Sequence, residues 1–380
     1  MTAYLDNSAT TRPCEAAVAA MTRAMTEAWG NPSSLHRLGG PARELLQQAR
    51  RSVAAAMGAE PERVFFTSGG TEADNWAIFS AVQRLGKRGR HLITTAVEHH
   101  AVLHCFEQLA RQGYDVTYLQ PEPDGSVTAA ALKAALRPDT VLVSVMMVNN
   151  ESGAAMPIAE MARLTHRNRP DAIFHTDAVQ GLLKVPFKAK NLGADLISVS
   201  AHKVHGAKGA GALYIRPGLS LPAHQLGGGQ ESGLRSGTEA VPAIAAFGAA
   251  CAVYAPRAAA DQARMRALRD LCRAELEQIG GVALLPLPEQ AAPHIVALSM
   301  PGVPSQGLIN RLQDRGVYVS AGSACAKGHR SHVLTAMGVA NELVDSAIRV
   351  SLSAETTEEE IRLLAAALGD ICSQAGGNVR

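Results

Sequence analysis

From about residue 60 to residue 215 one alternation repeats along the chain. A short run rich in β-branched and apolar residues gives way to a longer segment of helical periodicity, and then the pattern starts again. The strand-like runs are Val64–Thr67, His91–Thr95, Asp115–Leu119, Thr140–Val145, Ala172–Thr176, Asp195–Val199 and Gly211–Ile215. One helical pattern opens at Thr71, a second follows His91–Thr95 and runs through about Gln112, and another covers Ile158–Thr165, while the last two runs follow at closer spacing. Strands joined by helical crossovers lie parallel and have both faces covered. The expected architecture is therefore α/β: a mainly parallel seven-stranded sheet with helices on both faces.

After Tyr254-Ala255-Pro256 the character changes. A charged amphipathic helix over Ala258–Gly280 is followed by short strands near Ile295–Ser299 and Gly316–Ser320, then by a helical C-terminus opening on Glu358-Glu359-Glu360. A chain of 380 residues exceeds one ordinary core. The reading is a large domain over 14–255 and a smaller α+β domain made of 256–380, with residues 1–13 returning to it. Charge is nearly balanced, with a formal net of +2 and no basic run, which argues against a nucleic-acid groove. No apolar stretch is long enough to span a bilayer, and the start of the chain lacks a signal-peptide pattern. The six cysteines are scattered with no C-x-x-C pair, so disulfides are not expected and a reducing cytoplasm fits.

Four stretches carry chemistry. Ser68-Gly69-Gly70-Thr71-Glu72 lies between a strand and a helix, where glycines let backbone N–H groups approach an anion. The plainer alternative is a tight turn with Thr71 as helix cap. Asp177 ends a strand three residues before Gln180, where such sheets bind ligands. It suits a protonated pyridine nitrogen or, equally, the start of a helix. Ser198-Val199-Ser200-Ala201-His202-Lys203 places a lysine just past another strand end, a natural amine for an aldehyde once the other two signals stand beside it. Together the three point to pyridoxal phosphate (PLP). Finally, Ala321-Gly322-Ser323-Ala324-Cys325 puts one cysteine in a small-residue loop with Lys327, His329 and Arg330 close by, conditions that favour thiolate. Cys325, His329 and His332 fit no zinc spacing, and no metal is expected. The other five cysteines read as core fillers.

In this order, the segments resemble the cysteine desulfurases, PLP enzymes of fold-type I and of the class V aminotransferases. The resemblance runs from Tyr4-Leu5-Asp6-Asn7-Ser8-Ala9-Thr10-Thr11 through Phe66–Asn75, Glu98-His99-His100-Ala101-Val102, Met147–Glu151, Gly227–Glu231 and Arg235-Ser236-Gly237-Thr238-Glu239 to Gly322–Cys325. It covers nearly the whole chain, and the Gly-Ser-Ala-Cys loop is similar to the group serving housekeeping or nitrogenase-type iron–sulfur assembly. It implies that Lys203 binds the cofactor covalently and that Cys325 takes sulfur from L-cysteine as a persulfide. His99 would stack on the ring and help move protons, Asp177 would pair with the ring nitrogen and Gln180 with the phenolic oxygen. Gly70, Thr71, Ser200 and His202 would hold the phosphate, with Thr238 contributed across a homodimer. Asn150 and Arg349 would bind the substrate. An iron–sulfur scaffold or another sulfur acceptor is the implied partner. The stretch from Cys325 to Ser331-His332-Val333-Leu334 is about two residues shorter than usual in that family, with His329-Arg330 in place of its Leu-Glu-Pro. An aminotransferase or selenocysteine lyase would share the pocket. A sulfur-relay protein would need Cys325 but not Lys203.

Overall fold

The computed structural model describes residues 2–322 and 330–376. The strands among the described residues are β1 (Ala3–Tyr4), β2 (Val64–Thr67), β3 (His91–Thr95), β4 (Asp115–Leu119), β5 (Thr140–Ser144), β6 (Ile173–Asp177), β7 (Leu196–Ser200), β8 (Gly211–Ile215), β9 (Ala283–Leu284), β10 (Ile295–Ser299), β11 (Val317–Tyr318) and β12 (Ala347–Ser351). The fold is mixed α/β, as the alternation implies. β2 to β8 form one seven-stranded sheet in the order β2-β8-β7-β6-β5-β3-β4. Pairing is parallel from β7 to β4, and only β8 runs antiparallel to both its neighbours.

β2, β5, β6, β7 and β8 are buried along their whole length, because helices cover both faces. Side chains alternate between the faces. On β6, Phe174 enters a core with the helices Gly39–Met57 and Val241–Tyr254. Ile173 enters the opposite core with Trp76 and Ile78 of the helix Gly70–Leu85. Each large apolar side chain taken wholly from water stabilises the fold by about 1.5–3 kcal/mol.

A separate core joins Ala3 and Leu5 to Leu268, Val296, Val317, Ile348 and Ile361. It lies among the helices Ala258–Glu277 and Glu358–Gly376, β10 paired with β9 and β12, and β1 paired with β11. The strand expected over Gly316–Ser320 is only two residues long. Gly316 sits at φ +78°, and Ser320 makes a single bridge to Arg349. The acidic run opens the last helix, whose face carrying Ile361, Leu364 and Leu368 is buried. No single helix among the described residues is long and apolar enough to cross a membrane.

Candidate active site

β2, β3, β5, β6 and β7 all end on one edge of the sheet, and there a cleft of about 270 Å³ opens. Gly70 and Thr71 line it from the turn after β2, His99 from the turn after β3 and Asn150 from beyond β5. Asp177 and Gln180 reach it from the end of β6, and Ser200, His202 and Lys203 from the end of β7. Arg349 arrives from β12 in the other half of the molecule. Ten residues chosen from sequence therefore share one cavity.

The glycine turn works through its backbone. The helix starts at Gly70 with Gly69 as its cap and no capping side chain, so Thr71 is not the N-cap and its hydroxyl is left to the cleft. A Cβ on Gly70 would lie 2.7 Å from Val179 Cγ2 and 3.6 Å from Ser200 Cβ. Only glycine keeps that gap open between helix start and strand ends. The first-turn N–H groups lack intrahelical acceptors, which suits an anion such as phosphate.

Asp177 does not cap a helix. Its Oδ1 accepts from the backbone N–H of Val179 at 2.8 Å, and the chain continues as turns. Burial raises its pKa from 3.8 to about 6, against the lowering effects of that hydrogen bond and of Lys203. A buried carboxylate held at such a cost suits a cationic partner such as a protonated ring nitrogen. Beneath it the network was not legible in sequence. His175 Nε2 is 3.0 Å from Ser198 Oγ, His175 Nδ1 is 2.8 Å from Ser144 Oγ, and burial pushes that ring down to about 3. Burial, reinforced by Asp177, holds Asp74 well above the usual carboxylate range.

Lys203 Nζ donates to the carbonyls of Ser8 at 2.6 Å and Ala9 at 2.8 Å. The N-terminal segment is held there by Thr11, whose backbone N–H and hydroxyl both donate to the His202 carbonyl. His202 Nδ1 also meets Thr10 Oγ1 at 3.2 Å. His99 caps the helix His100–Arg111, its Nδ1 accepting from Ala101 N–H at 3.1 Å. That bond places the ring proton on Nε2, and burial, then the charge of Lys203, lowers the pKa to about 4. Burial likewise lowers His202 to about 4. Glu98, the neighbour of His99, is wholly buried and raised to about 8.

Asn149 Oδ1 accepts from the Glu151 and Ser152 N–H groups, which fixes the turn bearing Asn150. Arg349 is almost fully buried, with Nη1 donating to the Asn150 carbonyl at 2.8 Å and Nη2 to Asp6 Oδ1 at 2.9 Å. Its Nε and the hydroxyl of Ser8, in two residues that line the cleft, are buried polar groups without a hydrogen-bond partner among the described residues. With the N–H groups at the glycine gap as further donors and the buried Asp177 carboxylate as acceptor, they suit a phosphate-bearing cofactor with a cationic ring nitrogen.

Thr238 is exposed and lies outside this chain's own cleft. The segment Gly227–Thr238 is nonetheless tied to its own chain, by Arg50 forking onto Glu231 and Arg235 forking onto Glu72. Cys325 lies outside the described residues. Of the remaining cysteines, Cys105, Cys251 and Cys272 are buried, and burial lifts their thiols, Cys105 and Cys272 to about 12. Such thiols are poor nucleophiles.

Residues 3–364 match the aminotransferase class-V family. A relative named cysteine desulfurase IscS from Methanosarcina thermophila is 40% identical over 360 residues, spanning 94% of this chain and 89% of that one. A solved NifS-like protein superposes with a TM-score of 0.92 at 36% identity, covering 98% of this chain and 100% of that one. The structure titled SspA in complex with cysteine gives a TM-score of 0.82 at 31% identity, over 94% of this chain and 100% of that one. With its sheet, its strand-end cleft and these relatives, the chain belongs to the class-V aminotransferase family and, within it, to the cysteine desulfurases.

Proposed function

We propose that this enzyme uses PLP to convert L-cysteine into L-alanine, moving the sulfur onto Cys325 as a persulfide for delivery to iron–sulfur cluster assembly or another acceptor. The observation that carries this reading is the convergence of Lys203, Asp177, Gln180, His99 and the Gly70–Thr71 turn on one cleft. The relative solved with cysteine supports the substrate.

Bound PLP supplies an electron-poor ring that accepts the electron pair left when the substrate Cα–H bond breaks. Lys203 would supply the amine that holds the aldehyde and, when free, would act as the base for the α-proton. The Ser8 and Ala9 carbonyls hold that amine in place. Asp177 would keep the ring nitrogen protonated, and Gln180 would meet the phenolic oxygen. Gly70, Thr71, Ser200 and His202 would hold the phosphate. His99 would cover the ring, with Nε2 as the imidazole nitrogen left for proton exchange. Asn150 and Arg349 orient the substrate, the guanidinium meeting its carboxylate. The Cys325 thiolate would attack the substrate sulfur, so that an S–S bond forms as the Cβ–S bond breaks; the electron pair of that bond would stay with the substrate carbon, and protons returned to Cβ and Cα would give alanine. The chain acts as a cytoplasmic homodimer with Thr238 reaching the partner's phosphate site, and divides into domains over 14–255 and over 1–13 with 256–380.

Borohydride reduction of the yellow protein followed by peptide mapping tests the assignment. The pyridoxyl adduct is expected on Lys203; an adduct on Lys208, or none, contradicts it.

A further inference from the structure

The cleft is built around one lysine, yet a second lysine is buried beside it. Lys184 is 6% exposed and lies beyond the cleft's lining, four residues after Gln180. A lysine is almost never placed so deep without a partner. Here Nζ donates to Gln180 Oε1 at 3.0 Å, and His294 Nε2 approaches the same oxygen at 3.3 Å. Gln180 Nε2 in turn donates to the Ser8 carbonyl at 2.9 Å, the carbonyl that also receives Lys203 Nζ. One hydrogen-bonded line thus runs Lys184, Gln180, Ser8, Lys203.

The backbone is bent to aim this side chain inward. Leu183 sits at φ +62°, in the left-handed region that bulky residues avoid. Its carbonyl is held by Gln262 Nε2 at 3.2 Å. A strained leucine beside a buried lysine is a costly pair, which points to a job for the lysine.

The job follows from the chemistry of an amide. Gln180 has one end that accepts and one that donates, and either can face the cleft. Charged or neutral, Lys184 presents N–H donors, so it draws the Gln180 oxygen to itself and turns the NH2 toward Ser8 and the cleft. We infer that Lys184 is a positioning residue that fixes the Gln180 amide, so that an N–H donor faces the cofactor's phenolic oxygen. This rests on the PLP reading above.

An N–H donor on a phenolic oxygen draws negative charge from it and weakens its hold on the proton of the neighbouring Lys203–cofactor linkage. Loss of that donor therefore raises the pH at which the linkage ionises. The groups facing Lys184 are Lys203, Arg349, His294, His205 and His202, and those facing Lys203 include Asp177, His99 and again His202.

The test titrates the visible absorption band of the substrate-free holoenzyme against pH. Lys184→Met should raise the midpoint by about half a pH unit or more, the scale of losing one hydrogen bond to a charged group. In a Gln180→Met background the same change should leave the midpoint where Gln180→Met put it, because the amide it acts through is gone. Lys184→Gln retains an N–H donor and should keep the wild-type midpoint, which covers the case in which Lys184→Met fails to fold. Equal shifts in both backgrounds, no shift in either, or a Lys184→Gln midpoint displaced as far as that of Gln180→Met would overturn the inference. A wild-type protein lacking any titrating visible band would instead overturn the cofactor reading itself.

Discussion

Replacing Asp177 by Asn should make the cofactor-free protein more stable while making the enzyme far slower. The side chain is 6% exposed, and burial lifts its pKa from 3.8 to about 6. Such a rise means that the ionised form is disfavoured in the fold by about 3 kcal/mol relative to the unfolded chain. Asn keeps the size and the oxygen that accepts from Val179, so the substitution removes the charge with little else. The sign fixes the pH window. Below 3.8 Asp177 is protonated in both states, so Asn brings no gain. The gain should grow between 3.8 and about 6, where only the unfolded chain is ionised, and level off above. Urea unfolding of cofactor-free wild type and variant at pH 4 and pH 7.5 measures it, with a difference of about 2–3 kcal/mol expected at the higher pH. Alanine release by the loaded variant should fall at least about a hundredfold, the scale of removing one placed electrostatic group. A variant less stable at pH 7.5, or one with near-normal turnover when fully loaded, refutes the argument that this carboxylate is strained for function.

Two further outcomes follow from the same geometry. Arg349→Lys loses the fork, so kcat/KM for L-cysteine should drop about ten- to a hundredfold, mostly through KM; an unchanged KM removes Arg349 from the substrate site. His99 is lowered from 6.5 to about 4, so in that window the unfolded chain takes a proton that the fold refuses, and wild-type stability falls as pH falls. His99→Gln should lose less stability between pH 6.5 and 4 and match wild type in slope above pH 7; parallel curves throughout would contradict the buried, neutral ring.

The sheet was legible because each crossover leaves a periodic trace, and β2, β3, β4 and β8 begin and end where their apolar runs do. Lys203, Asp177 and the Gly69–Thr71 turn were legible as well, since each follows a strand end and strand ends share one edge of a parallel sheet. What escaped is what pattern does not encode. The carbonyls of Ser8 and Ala9 hold Lys203 through backbone atoms that every residue carries. Asp74 and His175 meet beneath Asp177 only because the helix Gly70–Leu85 packs on that face of β6. Lys184 reads as a surface lysine until the turn at Leu183 points it inward. Arg349 was placed by resemblance; its grip depends on β12 meeting Asp6 of the N-terminal segment 343 residues away and Asn150 beyond β5 199 residues away.

The central claim is that one protein thiol takes the sulfur while Lys203 and the cofactor handle the carbon skeleton. Its most direct measurement incubates the PLP-loaded enzyme with stoichiometric L-cysteine, without reductant, and determines alanine released together with the mass of each cysteine peptide. The account predicts alanine matched by a gain of one sulfur atom on the peptide carrying Cys325. In Cys325→Ser the gain should be gone and alanine formation abolished, because a hydroxyl stays un-ionised at neutral pH and cannot replace a thiolate. Sulfur on any other cysteine, or wild-type rates in Cys325→Ser, would contradict it.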